Sequence, residues 1–442
     1  MNYERKFKVA ISQFPLMDAG IDVSNPLHCL GLDQTCLKDR ELILYIHIPF
    51  CDHICDFCIY NRMLTRNHKK LMQQYTQALI KEIRMYSQSA YIKGKKIRAI
   101  YFGGGTPSAL DSDQLCNIIS ACKEAFSIEN DVEITVESNP LNAGYEKLCQ
   151  LKAMGVNRIS AGIQSFLDKS RKDLGVALSQ AEVLRWIEMA NTCKFDVLAI
   201  DLMYGCPGQT IKDWEEDLKI ATQLPVQHIS IYELYVILNT KLSRRIQAGS
   251  FTECTDEQRF RMFGIAAEYL SKKGFQRQIV PEFHRENHSS TYWDLAFDAW
   301  TDSIAVGVSS YGFINGRSYQ NVSNINEYIQ SIHNERLPIH LVSKQANARE
   351  MAERDAVFSL RHGRIDKQAF YFRNRLSVYE LFDEIIKKQV VSGILLEDQQ
   401  YLTLSLLGLY LQEDVAVEYM RSIFENRSLS YKKLAIGMHQ IF

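Results

Sequence analysis

The chain has 442 residues, 46% of them apolar and 23% charged, which is enough for one large domain, a smaller one and a sizeable core. Its 51 basic and 52 acidic side chains leave a formal charge of -1, so charge gives no reason to expect nucleic acid or an anionic membrane as partner. No uncharged apolar run reaches bilayer-spanning length and the opening MNYERKFKV has no signal-peptide core, so the expected compartment is the cytoplasm.

Residues 1–40 have weak periodicity and read as an N-terminal arm that wraps the outside or guards a mouth. Six runs rich in β-branched and aromatic residues follow, at 43–47, 98–102, 132–138, 158–163, 197–203 and 228–232. Between them, apolar residues recur at helical spacing over 71–86, 113–126, 145–154, 180–193 and 211–224. Asp111-Ser112-Asp113 and Gly208-Gln209-Thr210 supply turn and cap chemistry. This alternation predicts an α/β fold of parallel strands with helices outside, a partial (β/α)6 TIM-type barrel over residues 41–250. Each strand hands over to a polar or glycine-rich segment: CDHICDFC, GGGTP, ESNP, GIQSF, DLMYGCPGQT and YELY. In parallel barrels chemistry gathers at the C-terminal strand ends, so these segments are expected to converge on one mouth.

Residues 251–342 read as a barrel extension that covers the substrate. It has a helix at 257–273, an aromatic and His-bearing stretch at 283–300 and the small-residue segment 307–312. Residues 343–442 read as a mostly helical C-terminal domain. In the extension His284, His288, Tyr292 and Trp293 are candidates to shape a planar substrate pocket, although such side chains more often pack.

Eleven cysteines are an odd number and, apart from three, are scattered, which fits a reducing compartment. Cys116, Cys122 and Cys149 lie in helical patterns and read as packing. Cys51, Cys55 and Cys58 cluster in a loop after the first strand. Structural zinc takes four ligands, which His47 and His53 could complete, and a fully ligated [4Fe-4S] cluster normally takes four cysteines. Three cysteines leave one iron free for the amino and carboxylate groups of a methionine moiety.

The stretch YIHIPFCDHICDFCIYNR, followed in order by GGGTP, GIQSF and DLMYGCPGQT, resembles the radical S-adenosylmethionine (SAM) superfamily. Within it the likeness is to the oxygen-independent coproporphyrinogen III oxidase-like family. That family includes the oxidase, haem chaperones, anaerobic haem-degrading methyltransferases and class C methyltransferases of natural-product pathways. The resemblance runs over residues 44–319 and more weakly to about 410. It implies a [4Fe-4S] cluster on Cys51, Cys55 and Cys58, SAM cleavage to a 5'-deoxyadenosyl radical, and a flavodoxin- or ferredoxin-type electron donor. It places Tyr45, Gly104, Gly105, Thr106 and Glu137 at the cluster-bound SAM and Phe57 beside its nucleoside. Gln164 and Asp201 match positions that bind a second SAM in the oxidase, and Tyr45 and Asp201 are the implied catalytic pair.

Two departures stand out. Val176 occupies the position of an arginine that would clamp a carboxylate, leaving Arg171 or another residue to replace it. The oxidase carries a further cysteine where this chain reads Cys58-Ile59-Tyr60. The expected function is therefore a two-SAM methyltransferase or alkylating enzyme on an aromatic or unsaturated small molecule, such as a natural product or haem. The alternatives are oxidative decarboxylation of a porphyrinogen propionate and non-catalytic haem chaperoning.

Overall fold

The structure is a computed structural model that describes residues 15, 17, 21–35 and 40–421. The rest of the arm and residues 422–442 of the expected helical region lie outside the described residues.

Six strands form the barrel wall: β1 (Leu42–Ile48), β2 (Lys96–Gly104), β3 (Ser127–Ser138), β4 (Arg158–Gln164), β5 (Val197–Tyr204) and β6 (His228–Glu233). They are parallel and lie side by side in chain order. The connecting helices include α1 (Lys69–Ser87), α2 (Ser112–Ala125), α3 (Tyr145–Ala153), α4 (Gln180–Thr192) and α5 (Ile211–Gln223). Capping boxes start α2 at Asp111, α4 at Ser179 and α5 at Thr210, which ends each loop at a defined residue.

The sheet continues past both edges. Beyond β6 lie β7 (Phe275–Arg277) and β8 (Glu282–Arg285), with β8 antiparallel to β6. On the other side β9 (Asp302–Val306) pairs parallel with β1, then β10 (Tyr311–Ile314), β11 (Arg317–Asn321) and β12 (Ile339–Val342) follow antiparallel. β9 is thus a seventh parallel strand, supplied by the segment 251–342 that follows the six strand-helix units.

Alternation along the strands sorts the side chains. Leu44, Ile46, Ile100, Phe102, Ile134, Val136, Ile159, Ile200 and Ile229 pack outward in the main core with the helices. The opposite face is polar and aromatic: Tyr45, His47, Tyr101, Glu137, Ser160, Asp201 and Ser230 point into the lumen.

Past the barrel come α6 (Lys241–Gln247), α7 (Asp256–Lys272), the short α8 (Thr291–Ala296) and α9 (Ala348–Arg361). α9 bridges the open side of the barrel. Arg354 Nε donates to Ala299 O at 3.1 Å and lies 3.7 Å from the Phe313 ring centre, while Val280 N–H donates to Arg361 O at 3.3 Å. Further helices and a three-stranded antiparallel sheet (Arg364–Asp366, Leu395–Glu397, Tyr401–Leu404) complete the described C-terminal region. Residues 21–35 lie at the N-terminal end of the strands, where Tyr91 N–H donates to Leu32 O at 3.2 Å. Among the described residues no helix is long and apolar enough to cross a membrane.

Candidate functional site

The lumen is built in layers. At its base Arg158 Nε donates to Glu133 Oε2 at 3.1 Å, and Glu133 also accepts from Ser290 Oγ and from the N–H groups of Thr291 and Tyr292. Arg158 Nη1 sits 3.1 Å from His228 Nδ1. A guanidinium only donates, so Nδ1 is the acceptor and the ring proton is on Nε2, which donates to Glu282 Oε2 at 2.7 Å. Glu282 is completed by Ser230 Oγ at 2.6 Å and Tyr232 Oη at 3.0 Å. Arg158 and Glu133 are buried as an ion pair, and Glu282 is buried among three hydrogen-bond donors, the conditions for keeping charge in a low dielectric. Sequence reading found none of this network, although strand alternation places Glu133, Arg158 and His228 on the inward face.

Above the base is an aromatic layer. Tyr101 stacks on Tyr292 with ring centres 4.5 Å apart and meets Tyr45 at 6.2 Å and Trp293 at 5.5 Å. Tyr292 and Trp293 therefore line the lumen. His284 and His288 do not join them: their Nδ1 atoms bond the backbone oxygens of Arg285 and Glu286 at 2.8 and 2.7 Å.

At the rim Tyr101 Oη donates to Glu137 Oε1 at 2.7 Å. Burial pushes the Glu137 carboxyl up to about 7, opposed by the bonds from Tyr101 and the Gly104 N–H. Tyr45 Oη lies 3.3 Å from His47 Nδ1, and His47 Nε2 is buried without a partner. Burial drives the His47 imidazole down to about 4, so the ring is neutral at pH 7. The glycine run exists for contact: a Cβ on Gly104 (φ +115) would sit 2.7 Å from the His47 ring, and one on Gly105 would sit 3.1 Å from Cys51 Sγ.

The cysteine loop follows directly. Thr106 Oγ1 donates to Cys51 Sγ at 3.4 Å, and Arg62 donates to the carbonyls of Cys58 and Tyr60 at 2.5 and 2.6 Å. Asp56, between Cys55 and Phe57, is 4% exposed and is held by Arg245 Nη1 at 2.7 Å and Lys241 Nζ at 2.9 Å of α6. His53 Nε2 is 2.6 Å from Gly175 O, so that ring is engaged by backbone. Among the described residues no three His, Cys, Asp or Glu side chains converge tightly enough for a single metal ion. Cysteines that each hold a different iron of a cubane stand further apart than ligands sharing one ion. As free thiols, Cys51 is pushed to about 11 and Cys55 to about 12 by burial. A bound cation reverses that and makes them thiolates, so the donor set fits an iron-sulfur cluster.

The remaining candidates lie on β4 and β5. Gln164 ends β4 with left-handed backbone (φ +68), and its amide folds back until a Cβ on Gly162 would be 2.7 Å from Nε2. Asp201 is 3.5 Å from Ser160 Oγ; burial, with Glu282 and Glu137 nearby, holds its carboxyl well above the usual range. Arg171 is spent: Nη1 donates to Ile163 O and Ser165 O at 2.7 Å each and Nε to Leu178 O at 2.5 Å. Val176 packs with Phe57 against Leu174, Met203 and Leu242, so the wall where an arginine was looked for is apolar. Tyr60 is half exposed at the mouth, with Glu137, Cys58 and Asp201 as its titratable neighbours.

The chain is similar to several known proteins. A family model described as the Radical SAM superfamily matches residues 45–221. Anaerobilin synthase of Escherichia coli O157:H7 is 31% identical over 315 residues, covering 71% of this chain and 70% of its own. The heme chaperone HemW of Bacillus subtilis is 29% identical over 377 residues, covering 84% of this chain and 97% of its own. The solved coproporphyrinogen III oxidase (HemN) of Escherichia coli superposes with a TM-score of 0.80 over 94% of this chain and 96% of its own. At 22% identity that last likeness speaks for the fold, a partial barrel of parallel strands.

Proposed function

The chain belongs to the HemN-like family of the radical SAM superfamily, and we propose that it is an enzyme with sites for two SAM molecules, acting as a methyl- or alkyltransferase on a planar unsaturated small molecule such as haem. The observation that carries this reading is that two sets of polar rim residues open on one lumen. Tyr45, Gly104, Gly105 and Glu137 stand beside the cysteine loop, and Gln164 and Asp201 stand on the next two strands.

In this reading Cys51, Cys55 and Cys58 would hold the [4Fe-4S] cluster, which would pass one electron from a flavodoxin- or ferredoxin-type donor to SAM for its reductive cleavage to a 5'-deoxyadenosyl radical. Gly104 and Gly105 let ligand approach the backbone, with Thr106 beside Cys51. Glu137, once ionised, accepts from an ammonium or ribose hydroxyl; Tyr101 fixes its orientation. Tyr45 stacks along the same wall, and Phe57 contributes an apolar surface for the nucleoside. Asp201, its carboxyl pushed well above the usual range by burial and then by Glu282 and Glu137, is a hydrogen-bond partner for the second SAM. Neither Val176 nor Arg171 supplies a clamp for that SAM's carboxylate, so the reading requires a weaker, backbone-based grip there.

The test is an anaerobic time course with methyl-deuterated SAM and haem. Co-release of 5'-deoxyadenosine and S-adenosylhomocysteine, with deuterium in the product, is expected. Asp201→Ala should suppress S-adenosylhomocysteine more than 5'-deoxyadenosine. Carbon dioxide released from a porphyrinogen in step with 5'-deoxyadenosine would replace this reading by the decarboxylase. A second reading, haem carriage without turnover, is supported by the 97% coverage of the Bacillus subtilis heme chaperone. It would take over if haem bound stoichiometrically and neither nucleoside accumulated.

A further inference from the structure

Two thiols unrelated to the mouth meet on the outer helical layer. Cys149 lies within α3 and Cys193 is the C-cap of α4. They are 44 residues apart in sequence, and their Sγ atoms are 3.8 Å apart. The helices are tied beside them by Lys152, whose Nζ donates to Asp196 Oδ1 at 2.8 Å and lies 5.9 Å from the Phe195 ring centre. A disulfide needs its sulfurs about 2.05 Å apart, so roughly 1.8 Å of closure remains. Cys193 Sγ also points at Met189 O at 3.8 Å, as Cys206 and Cys254 point at the backbone oxygens of Met203 and Cys206 at 3.6 and 3.4 Å, but Cys193 has the Cys149 sulfur at the same distance as its backbone contact.

Access is unequal within the pair. Cys149 is half-buried, whereas Cys193 is 8% exposed. Burial, with the neighbouring thiol, pushes Cys193 up to about 11, which keeps it from competing for an oxidant.

We propose that Cys149 and Cys193 are a reversible oxidation site that closes to a disulfide when the protein meets hydrogen peroxide. Cys149 Sγ attacks one peroxide oxygen, the O–O bond breaks, and the other oxygen leaves as water with the thiol proton, giving a sulfenic acid. Cys193 Sγ then attacks that sulfur. The S–O bond breaks, a second water carries away the hydroxyl and the Cys193 proton, and the S–S bond forms. Two electrons pass from the two thiols to one peroxide. The product is a covalent ring that encloses β4 with Gln164 and Arg171, and a thiol reductant reopens it.

The experiment uses the full chain, loaded with its cluster and prepared anaerobically. It is treated briefly with hydrogen peroxide near stoichiometry, alkylated, digested and mapped by mass spectrometry. The expected result is one linked peptide pair containing Cys149 and Cys193, lighter by two hydrogen atoms than the reduced pair and restored by dithiothreitol. In Cys193→Ser the same treatment should leave Cys149 as a sulfenic acid captured by dimedone. Full alkylation of both cysteines after peroxide has consumed other thiols would overturn the proposal. So would recovery of Cys149 as sulfinic or sulfonic acid in the unmutated chain, because a resolving thiol at 3.8 Å should intercept it first.

Discussion

Asp56 and Arg245 lie 189 residues apart in sequence and meet at 2.7 Å between the carboxylate and Nη1. Asp56 stands between two of the three clustered cysteines and Arg245 on α6, beyond the last barrel strand. Two further bonds repeat the tie: Asp56 N–H donates to Leu174 O at 3.0 Å, and Leu242 N–H donates to Asp56 O at 2.8 Å. The loop that carries the thiols is thus fastened to the far side of the mouth. Gly175 belongs to the same fastening, since a Cβ there would collide with the Asp56 carboxylate.

Asp56→Ala should therefore lower the iron bound per chain and the stability of the fold together. Arg245 and Lys241 keep access to water, so the loss is that of charge-assisted hydrogen bonds, about 1–3 kcal/mol. Iron analysis and urea unfolding under anaerobic conditions measure both. Full iron content in the variant would show that the loop holds its shape without this tie.

The cysteines themselves make a sharper prediction. Anaerobic protein should be brown and carry about four irons, from thiolate-to-iron charge transfer. Alanine at Cys51, Cys55 or Cys58 should remove both colour and SAM cleavage, whereas Cys116→Ala should change neither. One tightly held zinc in a colourless protein would remove the cluster from the account.

Glu137 gives binding a pH dependence. Its carboxyl sits at about 7, and the ionised form is the one that accepts from SAM, so affinity should rise as pH goes from about 6 to about 8. Glu137→Gln should flatten that rise and weaken SAM binding roughly ten- to a hundred-fold without loss of iron. Equilibrium titration of SAM at several pH values is the measurement. Unchanged affinity in the variant would make Glu137 a structural group.

Glu82 acts on stability with the opposite sign. It is buried on α1 and accepts from Gly307 N–H, Asn321 Nδ2 and Tyr328 Oη at 2.8, 2.8 and 2.6 Å. Burial still outweighs those bonds and lifts it from 4.5 to about 7. The folded chain therefore holds this proton more tightly than the unfolded chain. The stabilisation is fully present below about pH 4.5 and is lost as pH rises through about 7. Urea unfolding at a series of pH values should show that decline, shared with Glu137, and Glu82→Gln should flatten its part of it. A variant with the same slope as the unmutated chain would contradict the assignment.

The barrel was legible because its signals are local: period-2 alternation, capping residues and glycine-rich strand ends each declare themselves within a few residues. β9 was not, because DSIAV is an ordinary short apolar run and only its pairing with β1 makes it parallel. The cysteine triplet and GGGTP were readable as motifs, but the reason for each glycine lies in neighbours from elsewhere, such as the His47 ring against Gly104. Arg171 was the candidate to replace the arginine missing at Val176; its neutral backbone partners are invisible in sequence. The base of the lumen escaped for a similar reason. Glu133, Arg158, His228 and Glu282 come from four strands, and no spacing rule links them.

The placement of β9 against β1 also sets an order of events during synthesis. β1 and the cysteine loop are made early, and β2 can pair with β1 soon afterwards. The other neighbour arrives some 260 residues later, when Asp302–Val306 pairs with Leu42–Ile46. Only then can Gly307 pack under Tyr75 and His47 O, and Asn61 reach Ser309 at 2.7 Å across 248 residues of sequence. Such long-range closures are late steps in folding, because loop entropy must be met before the contacts form. On a translating ribosome the thiol loop therefore has one wall and lacks the other until most of the chain has emerged. During that interval the three cysteines stand beside a strand paired on one side only.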